Sequence, residues 1–183
     1  NFFEIKGNPV LITIARLEKR KGHALILKAI KKLVNDFPSI RYIIAGEGSE
    51  KQNLMNIVKK QKLDPNISFV GLVNDSQKKY LFENSDLMVM PTLDESNNRS
   101  IEGFGIAYLE AAFFSIPSIA SNVGGTKEAV LHNKTGIIIK NFDELYLSIY
   151  DLLINPDKRK LLGKEAQKRA KQEFDWGVVA KKY

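Results

Sequence analysis

The sequence predicts a doubly wound α/β domain built on a mainly parallel sheet. Short β-branched apolar runs alternate with segments of amphipathic spacing, the signature of βαβ units. The expected carboxyl ends of five runs carry glycine, base or acid, and in such sheets ligands bind at those ends. With 183 residues, 44% of them hydrophobic and 27% charged, the chain is long enough for one sizeable core and has the composition of a globular protein.

The first strand is Pro9 to Ala15 (PVLITIA), continuous and apolar as a strand buried on both faces should be. The charged stretch Ala15 to Gly22 (ARLEKRKG) then leads into a helix from about His23 to Phe37, where Ile26, Ala29, Ile30, Leu33, Val34 and Phe37 recur at helical spacing. Ile40 to Ala45 forms the second strand, followed by Gly46-Glu47-Gly48-Ser49 and a helix to about Lys62. The third strand, Ile67 to Val70, meets Gly71-Leu72-Val73, and Asn74 or Asp75 caps a helix covering Tyr80 to Phe82. Leu87 to Met90 is the fourth, stopped by Pro91. After a polar insert, Leu93 to Ser100, comes the helix that organises the chain. Pro117 to Ser121 is the fifth strand, with Gly124-Gly125 and a short helix to Val130 behind it, and Gly136 to Ile139 the sixth. The remainder reads as helix: Phe142 to Ile154, Pro156 to about Glu173, and a terminal piece within 174–183. Right-handed crossovers put helices on both faces of this Rossmann-like sheet of about six strands.

The organising stretch is Ile101 to Ala112 (IEGFGIAYLEAA). Gly103 and Gly105 fall at its expected helix mouth, where backbone N–H groups and the helix dipole favour an anion such as a phosphate. Glu102 precedes the helix and Glu110 is expected two turns inside it, about 12 Å further along at roughly 1.5 Å per residue. Glu110 has only apolar neighbours, Leu109, Ala111 and Ala112, so its carboxylate calls for a partner.

Bulk properties narrow the classes. There is no cysteine, which excludes disulfides and thiolate metal sites and is compatible with a reducing, cytoplasmic compartment. No apolar run approaches the ~20 residues that span a bilayer. The net charge of +7, from 28 basic and 21 acidic side chains, is concentrated in Lys158 to Lys171, with further pairs at Lys31–Lys32, Lys59–Lys60 and Lys78–Lys79. Such pairs on helices read as solvated faces; a basic surface also suits phosphate-bearing ligands or peripheral contact with an anionic membrane. No nucleic-acid motif accompanies the charge, so nucleic acid is not an expected partner. His23 and His132, the only histidines, read as structural or exposed, and nothing reads as a metal site.

In this order the motifs resemble the retaining group 1 (family four) glycosyltransferases of GT-B fold, and the likeness is to their C-terminal, donor-binding domain over nearly the whole chain. The resemblance implies that Arg16 and Lys21 hold the donor diphosphate, with Ala15 standing where the family usually has glycine. It matches Gly46 and Gly48 to the glycine loop after the second strand, and Val70 and Val73 to the loop facing the nucleobase. Glu102 and Glu110 match the two-glutamate signature, the first meeting the donor sugar and the second the ribose. The backbone at Gly103, Phe104 and Gly105 would face the phosphates, and Gly124, Gly125, Thr126 and Glu128 line a later part of the cleft. Arg16, Lys21 and Glu102 are then the catalytic candidates, and neither a metal nor another cofactor is implied.

The expected function is transfer of a glycosyl group, with retention, from a nucleoside diphosphate sugar in polysaccharide or glycolipid assembly. The acceptor would be held by an N-terminal domain outside residues 1–183, so the fragment alone is expected to bind donor without efficient turnover. A non-catalytic nucleotide-sugar-binding module and a GT-B sugar phosphorylase are the alternatives. A dinucleotide-dependent oxidoreductase is disfavoured because no G-x-G-x-x-G follows the first strand. A glycosidase would need its carboxylates about 5 to 9.5 Å apart.

Overall fold

The computed structural model describes residues 3–93 and 105–174. Six strands form one parallel sheet: β1 Val10–Ile14, β2 Arg41–Ala45, β3 Ile67–Gly71, β4 Leu87–Met90, β5 Ser118–Ser121 and β6 Gly136–Ile139. Their spatial order is β3-β2-β1-β4-β5-β6, so the chain reverses its direction of travel across the sheet between β1 and β4. Helices α1 His23–Leu33, α2 Lys51–Gln61, α3 Asp75–Glu83, α4 Ile106–Phe113, α5 Thr126–Ala129, α6 Phe142–Ile154 and α7 Pro156–Glu173 complete the domain.

Strand alternation sends side chains to two apolar layers. Leu11, Tyr42, Ile44, Leu87 and Val89 pack with residues of α1, α2 and α6. Ile12, Ile43, Met88 and Met90 pack with Leu81 and Phe82 of α3 and Tyr108 and Ala111 of α4. Both faces are covered, as the continuous apolar strands require. The helix expected from His23 to Phe37 ends at Leu33, and Val34 to Phe37 continue as turns bonded back to Ile30, Lys32 and Leu33. Asn74, rather than Asp75, caps α3 through a reciprocal box with Gln77.

The long basic helix α7 closes the domain against α4. A Cβ at Gly163 would collide with the Ser115 carbonyl oxygen, so glycine is what lets α7 approach the turn before β5. Arg159 reaches Asp86 at 3.0 Å, and Asp86 accepts the Val10 amide at 2.8 Å, tying α7 to the amino ends of β1 and β4. The expected terminal piece within 174–183 lies, from 175 on, outside the described residues.

Candidate functional site

A sheet whose strand order reverses leaves a crevice at the carboxyl ends of the two strands flanking the reversal. Here those strands are β1 and β4. The loop after β1 carries Arg16 and Lys21, and the connection after β4 leads to Gly105 and α4. The two connections touch: the Leu93 amide donates to the Arg20 carbonyl at 2.6 Å, and a Cβ at Gly22 would strike the Pro91 carbonyl oxygen.

The β1 loop is shaped by its own charges. Glu18 accepts from Arg16 at 2.9 Å and from Arg20 at 3.0 Å. Lys19–Lys21 form a single 3-10 turn, whose last residue, Lys21, is only 8% exposed, whereas the Arg16 side chain is 71% exposed. The two cations expected to act together thus stand in unlike surroundings, one solvated and one embedded. Glu18 was not singled out from sequence; the signal was its place between Arg16 and Arg20, within reach of both.

Gly46 and Gly48 have a backbone role in this arrangement. Gly46 has φ +140°, and added Cβ atoms would collide with the carbonyl oxygens of Ala15 and Leu17 respectively. Backbone hydrogen bonds from the Ala15 amide to the Ala45 carbonyl (3.0 Å), the Leu17 amide to the Glu47 carbonyl (2.9 Å) and the Glu50 amide to the Leu17 carbonyl (2.9 Å) stitch the loops after β1 and β2 together. The glycines hold the Arg16 loop through this close backbone approach. Val70 and Val73 at the end of β3 are half-buried against the α3 and α4 layer, with Leu72 between them 78% exposed.

Helix α4 starts later than expected. Gly105, at φ +76°, is its N-cap and Ile106 its first residue, which puts Glu110 little more than one turn inside rather than two. The 12 Å rise expected between Glu102 and Glu110 has one end outside the described residues. Glu102, Gly103 and Phe104 lie outside the described residues, as does the expected insert from 94 to 100. The partner that Glu110 called for is Lys78, whose Nζ is 2.7 Å from Glu110 Oε1. The Lys78–Lys79 pair, read as a solvated face, is divided: the Lys79 side chain is 64% exposed, while that of Lys78 is 24% exposed and turned to α4. Nothing in the sequence pairs residues 78 and 110; their meeting is a product of the α3–α4 packing.

Beneath the β1 loop runs a buried polar chain. The Thr13 hydroxyl donates to the Val89 carbonyl, so it accepts from Tyr42 Oη at 2.8 Å, and Tyr42 accepts from His23 Nδ1 at 3.1 Å. Burial drives the His23 pKa down to about 4, with the Lys21 charge adding to the effect and the Arg16 backbone opposing it. His23 is therefore a neutral strut linking α1 to β1, β2 and β4. His132 is exposed, its Nδ1 accepting the Ile138 amide at 3.0 Å. In the later loop, Thr126 is fully buried and donates to the Ser121 carbonyl at 2.6 Å, which fixes the turn after β5. Next to it, a pocket of ≈ 460 Å³ at the carboxyl ends of β4, β5 and β6 is lined by Thr92, Asn122, Lys140 and Phe142. Among the described residues no three His, Asp or Glu side chains group as a metal site, and no helix is long and apolar enough to cross a membrane.

A family model described as glycosyl transferases group 1 matches residues 2–169. A GDP-mannose-dependent alpha-(1-6)-phosphatidylinositol monomannoside mannosyltransferase of Mycobacterium tuberculosis is 25% identical over 182 residues, which are 98% of this chain and 47% of that protein. A glycogen synthase of the same organism is 30% identical over 176 residues, 95% of this chain and 41% of that protein. The chain thus spans about half the length, or less, of these curated relatives. Among solved structures, Anabaena HepE in complex with UDP and glucose superposes with a TM-score of 0.82 at 24% identity, over 95% of this chain and 46% of that one.

Proposed function

This chain belongs to the group 1 glycosyl transferases, and from that premise we propose that it is the donor-binding domain of a retaining enzyme of GT-B architecture. A nucleoside diphosphate sugar lies across the carboxyl ends of β1 to β4, its base toward Val70 and Val73 and its diphosphate over Arg16 and Lys21. Glu110 meets the ribose and Glu102 the transferred sugar. The observation that carries this reading is the placement of the Arg16–Lys21 loop and the Glu110 helix on the two sides of the strand reversal.

Breaking the anomeric bond leaves a diphosphate whose growing negative charge must be met by fixed positive potential. Arg16 offers paired N–H donors on an accessible side chain, and Lys21 a point charge in a drier setting where charge acts more strongly. The amide groups at the start of α4 add the helix-end potential. In this scheme the protein's own cations, without a metal, carry the leaving group.

The acceptor is held by a second domain outside this chain, so the domain alone binds donor and turns over poorly; the cytoplasm and the assembly of polysaccharide or glycolipid belong to the same proposal. The alternatives, a binding module without transfer and a phosphorylase using phosphate as acceptor, share the donor cleft. Calorimetric titration with UDP-, GDP- and ADP-sugars, repeated on Lys21→Ala and Glu110→Ala, tests the reading. We expect one sugar nucleotide to bind and both substitutions to weaken it at least tenfold. Binding indifferent to both would overturn the site.

A further inference from the structure

Helix α7 presents one face to the domain and a different chemistry to the outside. Its inner face is Leu162, Gly163, Ala166 and Ala170, all buried. Its outer face carries Lys160, Lys164, Lys168 and Lys171, all exposed. At about 100° per residue these four fall within an arc of roughly 80°, and at ~1.5 Å per residue they extend over about 16 Å.

The helix sorts its cations. Lys158 pairs with Asp151 at 2.7 Å, Arg159 with Asp86 at 3.0 Å, and Arg169 with Glu173 at 2.8 Å and the Glu128 carbonyl at 2.7 Å. Among the described residues none of the four outer lysines has an ion-pair partner. Asp157, at the amino end, is the one carboxylate within the arc among the described residues. Beside the lysines stands Leu161, 61% exposed, and Ile154 at the end of α6 is 52% exposed.

We infer that the outer face of α7 is a docking surface for a bilayer rich in anionic lipid. Both α7 arginines are engaged elsewhere, so the face lacks the planar forks that read individual phosphates. Among the described residues it also has no aromatic side chain for stacking on bases. What remains is a row of point charges on long aliphatic stems with an exposed leucine at its border. That composition suits a diffuse anionic surface into which the stems and the leucine settle while the ammonium groups stay at headgroup level. The inference is independent of the donor reading, because no residue of the proposed cleft takes part.

The test is co-sedimentation of the protein with phosphatidylcholine vesicles, alone and mixed with phosphatidylglycerol, at low and physiological salt. A lysine near an anionic surface contributes roughly fivefold, so joint replacement of Lys160, Lys164, Lys168 and Lys171 by Gln should lower binding to the mixed vesicles on the order of 600-fold. Neutral vesicles should not bind, and Leu161→Ser should weaken vesicle binding severalfold while leaving binding to duplex DNA unchanged. Equal binding by the quadruple variant, equal binding to neutral vesicles, no effect of Leu161→Ser, or preference for duplex DNA at matched phosphate concentration would each overturn the inference. Nucleotide-sugar titration and circular dichroism of the variants report fold and donor site separately.

Discussion

Lys78 Nζ lies 2.7 Å from Glu110 Oε1, so the helix after β3 and the helix after β4 are joined by a partly buried ion pair. The pair fixes one oxygen of the carboxylate proposed to meet the donor ribose. Replacing Lys78 with Met removes this tether and leaves the Glu110 side chain free to turn. Nucleotide-sugar affinity should fall roughly tenfold, or about 1.4 kcal/mol, in the Met variant and largely return in Lys78→Arg, measured by calorimetry. Equal affinity in the wild type and the Met variant would show that the pair is only a helix clamp.

Glu18 competes with the proposed ligand. Its carboxylate accepts from both Arg16 and Arg20, so it partly neutralises the guanidinium group proposed to hold the diphosphate. Glu18→Gln should tighten diphosphate binding a few-fold, whereas Arg16→Ala should weaken it. If Glu18→Gln weakens binding as much as Arg16→Ala does, Glu18 is needed to orient Arg16, and competition is the wrong account.

Gly46 should tolerate no side chain. With φ +140° and the Ala15 carbonyl in the way, Gly46→Ala requires the stitched loops to part. A cost of about 2 kcal/mol or more is expected. At roughly 2–4 °C per kcal/mol for a domain of this size, the midpoint of thermal unfolding should drop by at least about 4 °C.

His23 makes stability depend on pH. Its folded pKa, about 4, lies below the ordinary histidine value of 6.5, so the unfolded chain takes up the proton first as pH falls. The stabilisation is complete above about pH 6.5 and is lost progressively toward pH 4, by up to about 3 kcal/mol. Denaturant titrations between pH 4 and 7 should show that slope in the wild type and a flatter one in His23→Phe.

Much of this architecture is legible in the residues. All six strands and the helices from Phe142 to Glu173 fall within a residue or so of where apolar runs and caps put them, because burial on both faces leaves little choice to a run such as PVLITIA. Local periodicity is silent on two things. It does not show where α4 begins, because glycine is equally at home before a helix and in its first turn. Nor does it show which distant side chains meet: the Lys78–Glu110 pair and the Thr13–Tyr42–His23 chain arise from the packing of separate βα units. In the sequence the glycines of the second loop point to a ligand, and the structure adds a role in letting two backbones touch.

That contact divides the labour of the cleft. Because the loops after β1 and β2 are sewn into one plate at Ala15–Leu17 and Gly46–Gly48, the floor beneath the proposed phosphates is a shared, rigid part. Substitutions that retune base preference are then best made at Leu72 and Val73, past the point where the Gly46 amide donates to the Gly71 carbonyl at 2.7 Å and ties the end of β3 to the seam.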